Sequence, residues 1–176
     1  MTPKKQIFDI DLSQYPESLK QPIMDLSNEH GKERIRARET LVAIGPLVLD
    51  YIYPLLQSKN RVLRWEAAKI TEEIAHLSSL SVLLDLLEDE DHDIRWIAAE
   101  GIVDLGAETT THLLDRLMKH DHSKYLVDEA HHVIAKMYHG EDRVIYQPLL
   151  DVLKSKHKGD LVSFEALQLL RLFRET

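Results

Sequence analysis

The sequence predicts an all-α fold, a right-handed superhelix of about five helical hairpins stacked in series. Three observations carry that prediction. The first is a recurrence. "NRVLRWEAAKITEEIA" at 60–75 and "DHDIRWIAAEGIVDLG" at 91–106 align at an offset of 31, Arg64-Trp65 on Arg95-Trp96 and Ala67-Ala68 on Ala98-Ala99. The second is the period inside each copy. Ile94, Ala98, Ile102 and Leu105 are spaced four, four and three apart, which traces one face of an α-helix. The third is a second apolar segment after each of the first four copies, carrying the leucine pairs Leu55-Leu56, Leu83-Leu84, Leu113-Leu114 and Leu149-Leu150.

Taken in chain order, residues 1–30 lie outside the repeat. Within them "YPESLKQPIMDLSNEHG" reads as a short helix with Leu19, Ile23 and Leu26 on one face, placed to cap the open end of the stack. Residues 31–176 form the repeat domain, one domain overall. Its first copy, Glu33, Ala37, Leu41 and Ile44, is degenerate, as a terminal repeat can be. The later copies are Leu63, Ala67, Thr71 and Ile74; Leu126, Ala130, Ile134 and Met137; and Val162, Ala166, Leu170 and Phe173. Asn60, Asp91 or Asp93, Ser123 and Asp160 stand where N-caps belong. Gly45, Gly106 and Gly140 fall where first helices end, and Gly31 and Gly159 fall in the loops between hairpins. Gly101, inside a first helix, predicts a close approach of a neighbour. The second helices are "PLVLDYIYPLLQS", "SLSVLLDLLED", "TTTHLLDRLMK" and "DRVIYQPLLDVLK", and Pro54 and Pro148 bend a helix or set its start.

Composition narrows the function classes. The 176 residues include no cysteine, so disulfides, thiolate metal sites and a Cys nucleophile are excluded, and a cytoplasmic location is expected. The opening residues lack the apolar stretch of a secretory signal, and no apolar run reaches membrane-spanning length. The net charge is -8 without a basic stripe, which argues against nucleic acid and for a protein partner bearing basic residues. The acidic run "EDEDHD" at 88–93 lacks the Gly and terminal Glu of a calcium loop and reads as a turn.

The stretch "LLEDEDHDIRWIAAEGIVDLG" resembles the HEAT-like repeat of the phycobilisome-lyase type. Asp89, Asp91, Ile94, Arg95, Ala98, Ala99, Ile102 and Gly106 carry the match, and Leu63, Arg64, Ala67 and Ala68 repeat it. The resemblance covers residues 31–174 and implies the solenoid fold; it assigns no chemistry, because such a fold is a platform. The iron-binding hydroxylases with similar repeats place His-Glu directly after the repeat arginine. Here those positions hold Trp65-Glu66, Trp96-Ile97 and Asp128-Glu129. The HEAT-like DNA alkylation-repair glycosylases need a basic channel that an acidic chain does not supply.

Three groups are candidate sites. Trp65 and Trp96 sit off the apolar stripe. They fit either an aromatic anchor for a partner or packing between repeats. Asp85, Asp115 and Asp151 each follow a leucine pair at the same repeat position. They fit either an acidic row for a Lys/Arg-rich segment or a solvated helix face. Tyr51, Tyr53 and Tyr146 on second helices would add contact area. Six of the ten histidines lie between 112 and 139, His120-Asp121-His122 in a turn and His132 one helical turn from Asp128, without metal-site spacing. The expected function is a non-enzymatic scaffold or adaptor that binds another protein, with no metal and no cofactor, through Trp65, Trp96, Tyr51, Asp85, Asp115 and Asp151. The alternative, implied by the resemblance, is a phycobilin-lyase-like or lyase-associated protein with a pocket at Asp128, His131 and His132.

Overall fold

The computed structural model describes residues 11–119, 123–155 and 159–175. Among the described residues all regular structure is helical, so the fold is all-α, as expected. The chain forms two compact units, residues 1–79 and 80–176.

In residues 1–79, α1 (Glu17–Asp25) packs on α2 (Gly31–Val42), burying Leu19, Ile23 and Leu26, while α2 contributes Ala37 and Leu41 to the core. Gly45, at φ 74°, lets the chain leave α2 and bend by 113° into the next segment. That segment, expected as one helix, is broken: a 3₁₀ turn at Gly45–Val48, a single α turn α3 (Leu49–Ile52), and a 3₁₀ turn at Tyr53–Gln57. Pro46 and Pro54 stand at the start of the two 3₁₀ turns, where a missing N–H costs least. Leu55 and Leu56 are nevertheless fully buried. The long helix α4 (Arg61–Ile74) begins at Asn60, whose side-chain oxygen accepts the N–H groups of Val62 at 3.0 Å and Leu63 at 3.4 Å. It packs on α2 and on the 53–57 turn, and its Leu63, Ala67 and Thr71 are fully buried. It ends at Ala75, held at φ 47° and ψ 52° in the left-handed region, at a helix end where the neighbouring copies place the positive-φ glycines Gly45 and Gly106.

In residues 80–176 the elements are α5 (Leu80–Leu86), α6 (His92–Leu105), α7 (Thr110–Leu117), α8 (Lys124–Met137), α9 (Arg143–Lys154) and α10 (Gly159–Glu175). The acidic run at 88–93 is the turn into α6. There Asp89 accepts the Asp91 N–H at 2.8 Å and Asp91 caps the helix through the Asp93 N–H at 2.9 Å. Ser123 caps α8 through the Leu126 N–H at 3.1 Å. Helix α6 packs against α5 and α8, and α8 packs against α9. The leucine pairs of α5, α7 and α9 are all buried, each fully buried leucine contributing about 1.5–3 kcal/mol. Pro148 is accommodated inside α9 without ending it. Gly101 is buried in α6.

Four local expectations are corrected. Gly31 and Gly159 open α2 and α10 and are not loop residues. Asp160 lies inside the first turn of α10, not at its cap. The last copy does not continue the stack on α8: α10 packs chiefly against α7 and α9, burying Val162, Ala166, Leu169 and Leu170. Tyr146, counted among the surface tyrosines, is 95 % buried, stacked on Tyr138 at 3.8 Å, and burial raises its phenol pKa far above the ordinary value. The turn at His120-Asp121-His122 lies outside the described residues. No single described helix is long and apolar enough to cross a membrane.

Candidate functional site

The repeat arginines do structural work that the sequence pattern only hinted at. Each opens its helix one turn in, so its long side chain can fold back over the preceding loop. Arg34 donates through Nη1 to the carbonyls of Asn28 at 2.7 Å and Glu29 at 3.3 Å. Arg64 donates to the Ser58 carbonyl at 2.8 Å, and Arg95 to the carbonyls of Asp89 at 2.9 Å and Glu90 at 3.2 Å. The turn carbonyls, which would otherwise be left short of donors, are satisfied by a charge-assisted bond.

Two of these arginines also reach into the next repeat. Arg34 Nε lies 3.2 Å from Glu66 Oε1, and Arg95 Nε lies 3.2 Å from Glu129 Oε1. Glu66 and Glu129 hold the same register position, two residues after the repeat-arginine slot. In both copies that position is buried and committed to arginine. These pairs were missed from sequence, although an Arg with a Glu 32 or 34 residues downstream was the available signal.

Around the first pair the structure opens a cleft of about 210 Å³ lined by Arg34, Arg61, Val62, Trp65 and Glu66. Trp65 is half-buried at its side, with the Arg38 guanidinium 5.6 Å from its ring centre. Arg38 binds Glu66 at 2.6 Å and Glu73 at 3.1 Å, so one buried carboxylate serves two arginines. Trp96 stands in different surroundings, 46 % exposed, its ring 4.3 Å from that of His132. His132 meets Glu100 at 2.8 Å, and Lys136 binds the other Glu100 oxygen. Burial works to raise the Glu100 carboxyl pKa, but the bonds from Lys136 and His132 outweigh it and hold it below the usual value.

Asp85 on α5, Asp115 on α7 and Asp151 on α9 are all exposed. Arg116, beside Asp115, pairs with Asp85 and lies 3.9 Å from Glu88, while Asp151 accepts the Gln147 amide at 2.7 Å. Helices α7 and α9 are linked mainly through α10. Tyr51 is half-buried, its ring 5.7 Å from Tyr15, and Tyr53 bonds Ser79 through its hydroxyl at 3.1 Å. The chain's charge is unevenly placed. Residues 1–79 hold eleven Lys and Arg against eleven Asp and Glu; residues 80–176 hold eleven against nineteen, the whole net charge of -8.

The histidines do not converge. His131 and His132 are neighbours on α8, so they point about 100° apart. His132 turns to Glu100, whereas the buried Nε2 of His131 has no hydrogen-bond partner. Burial, helped by Lys154 and Arg143, holds the His131 pKa below its ordinary value, so the ring is kept neutral. Asp128 is exposed. Among the described residues no three His, Asp or Glu side chains gather as a metal site would require.

Residues 49–135, from α3 through most of α8, match the family HEAT repeats. No curated protein matches the chain. The match covers both copies with the clearest sequence repeat, their caps and the arginines at their starts, and it supports a HEAT-like repeat protein.

Proposed function

We propose that the chain is a non-enzymatic, cytoplasmic scaffold that binds another protein through a Lys/Arg-rich segment on residues 80–176. One observation carries this reading: the entire net charge of -8 sits in that unit, with Asp85, Asp115 and Asp151 exposed at one repeat position. Trp96, exposed in the same unit, supplies contact area there, and in residues 1–79 the cleft beside Trp65 and the half-buried Tyr51 offer separate contact surfaces. The charged groups at the repeat positions, Arg34, Arg95, Glu66 and Glu129, are committed to one another, which supports a binding surface over a reaction centre.

Arg116 already neutralises part of the row by pairing with Asp85. A basic segment must therefore compete with it, and the interaction should weaken steeply with salt. The test is fluorescence anisotropy with a labelled twelve-residue Lys/Arg peptide. The triple variant Asp85→Lys, Asp115→Lys, Asp151→Lys should lose at least about tenfold in affinity, and Arg116→Ala should tighten binding. Equal affinity for all three proteins would remove the acidic row. The phycobilin-lyase-like reading needs a pocket at Asp128, His131 and His132; their divergent surroundings favour the scaffold.

A further inference from the structure

We propose that the cleft beside Arg34 is a socket for an aromatic side chain of a partner protein, presented within an acidic segment. The proposal rests on the scaffold reading and adds a second, chemically opposite contact in residues 1–79. Its basis is a comparison of two copies of one device inside this chain.

In residues 80–176 the device is closed. Arg95 donates to Glu129 and to the turn carbonyls, and the ring of Tyr125 lies over its guanidinium, 4.1 Å from Cζ to the ring centre. Tyr125 stands one helical turn ahead of Glu129. In residues 1–79 Arg34 makes the same bond to Glu66 at the same 3.2 Å and the same bonds to its turn. The residue one helical turn ahead of Glu66 is Val62, too short to cover a guanidinium. Among the described residues no ring lies over Arg34, whose side chain is 27 % exposed against 9 % for Arg95. The place a ring would fill is the cleft, walled by Val62 and Trp65.

The charge of the flanking segment follows from the same geometry. Glu66 is the carboxylate of the cleft, and it is already shared by Arg34 and Arg38. Arg34 Nη2 makes no hydrogen bond among the described residues and is not buried, so it can donate to a carboxylate beside the incoming ring. A planar guanidinium offers both contacts at once, stacking on its face and donating from its edge.

The test uses the full chain labelled with ¹⁵N and the two indole N–H signals, assigned with Trp65→Phe. The probes are an acetylated seven-residue peptide with Tyr between two Asp, its counterpart with Leu in place of Tyr, and its counterpart with Lys in place of Asp. The Tyr–Asp peptide should shift the Trp65 signal saturably and leave Trp96 in place. The Leu and Lys peptides should each bind about two- to fivefold more weakly. Val62→Tyr should fill the socket from within and cost the same factor. Arg34→Lys, which keeps the charge and loses the plane, should also weaken binding and serves if Val62→Tyr does not fold. No Trp65 shift, equal binding of the Leu peptide, or unchanged affinity in both variants would overturn the proposal. The basic peptide added to the same sample reports on residues 80–176 separately, so loss of the socket alone leaves the scaffold reading standing.

Discussion

Arg34 in residues 1–79 and Arg95 in residues 80–176 hold the same kinds of partner, yet Arg95 is closed under Tyr125 while Arg34 opens into a cleft. The surroundings differ in the same sense. Residues 1–79 are electrically balanced, and their second helix is broken into 3₁₀ turns by Pro46 and Pro54. Residues 80–176 carry the net charge and eight of the ten histidines. A repeat is thus a shared frame of leucines, caps and turn arginines, and specialisation lies in the few positions beside the arginine that the frame leaves open.

The largest predicted effect probes that frame. Arg95→Ala leaves Glu129 buried without its partner and should cost about 3–5 kcal/mol. Arg34→Ala should cost less, about 1–3 kcal/mol, because Glu66 keeps Arg38. Urea unfolding resolves the two, with Trp96 as sole reporter in Trp65→Phe and Trp65 as sole reporter in Trp96→Phe. Equal losses would erase the distinction between closed and open copies. The next effect concerns the helix ends. Gly106 sits at φ 90° and ψ -174°, a conformation that only glycine adopts without strain, so Gly106→Ala should cost about 1–3 kcal/mol. At the matching position Ala75→Gly should instead stabilise by about 1 kcal/mol, since Ala75 is held in the left-handed region. Paired thermal melts check the opposite signs.

The smallest effect is pH dependence, expected in residues 80–176. The His131 pKa is lowered on folding, so its stabilisation is present above the ordinary histidine value of 6.5 and is lost as pH falls towards the folded one. Glu100 is also lowered, so its share is present above 4.5 and is lost further into acid. Unfolding followed by Trp96 between pH 7 and 5 should show declining stability, and His131→Phe should flatten that slope. A slope unchanged by the substitution would remove His131 as its source.

Much of the frame was legible in the sequence because helical periodicity and capping are local. The buried leucine pairs and the caps at Asn60, Asp91 and Ser123 follow from spacing and residue type. The site was less legible. Trp65 and Trp96 occupy one repeat slot, yet one borders the cleft and the other meets His132, because the neighbouring repeats differ. Tyr146 looked like a surface residue until Tyr138 and Phe173 were found packed around it. The Arg34–Glu66 and Arg95–Glu129 pairs join residues more than 30 apart, and only a register linking successive repeats reveals them. The packing of α10 on α7 and α9 depends on tertiary fit that its helical period does not encode.

The most direct test of the open and closed comparison is a double-mutant cycle in residues 1–79, pairing Val62→Tyr with Arg34→Leu and reading stability through Trp65. If the cleft is the vacant counterpart of the Tyr125 site, the added ring should stabilise only when Arg34 is present, with a coupling of about 0.5–1 kcal/mol. A coupling indistinguishable from zero, with Val62→Tyr acting alike in both backgrounds, would contradict it.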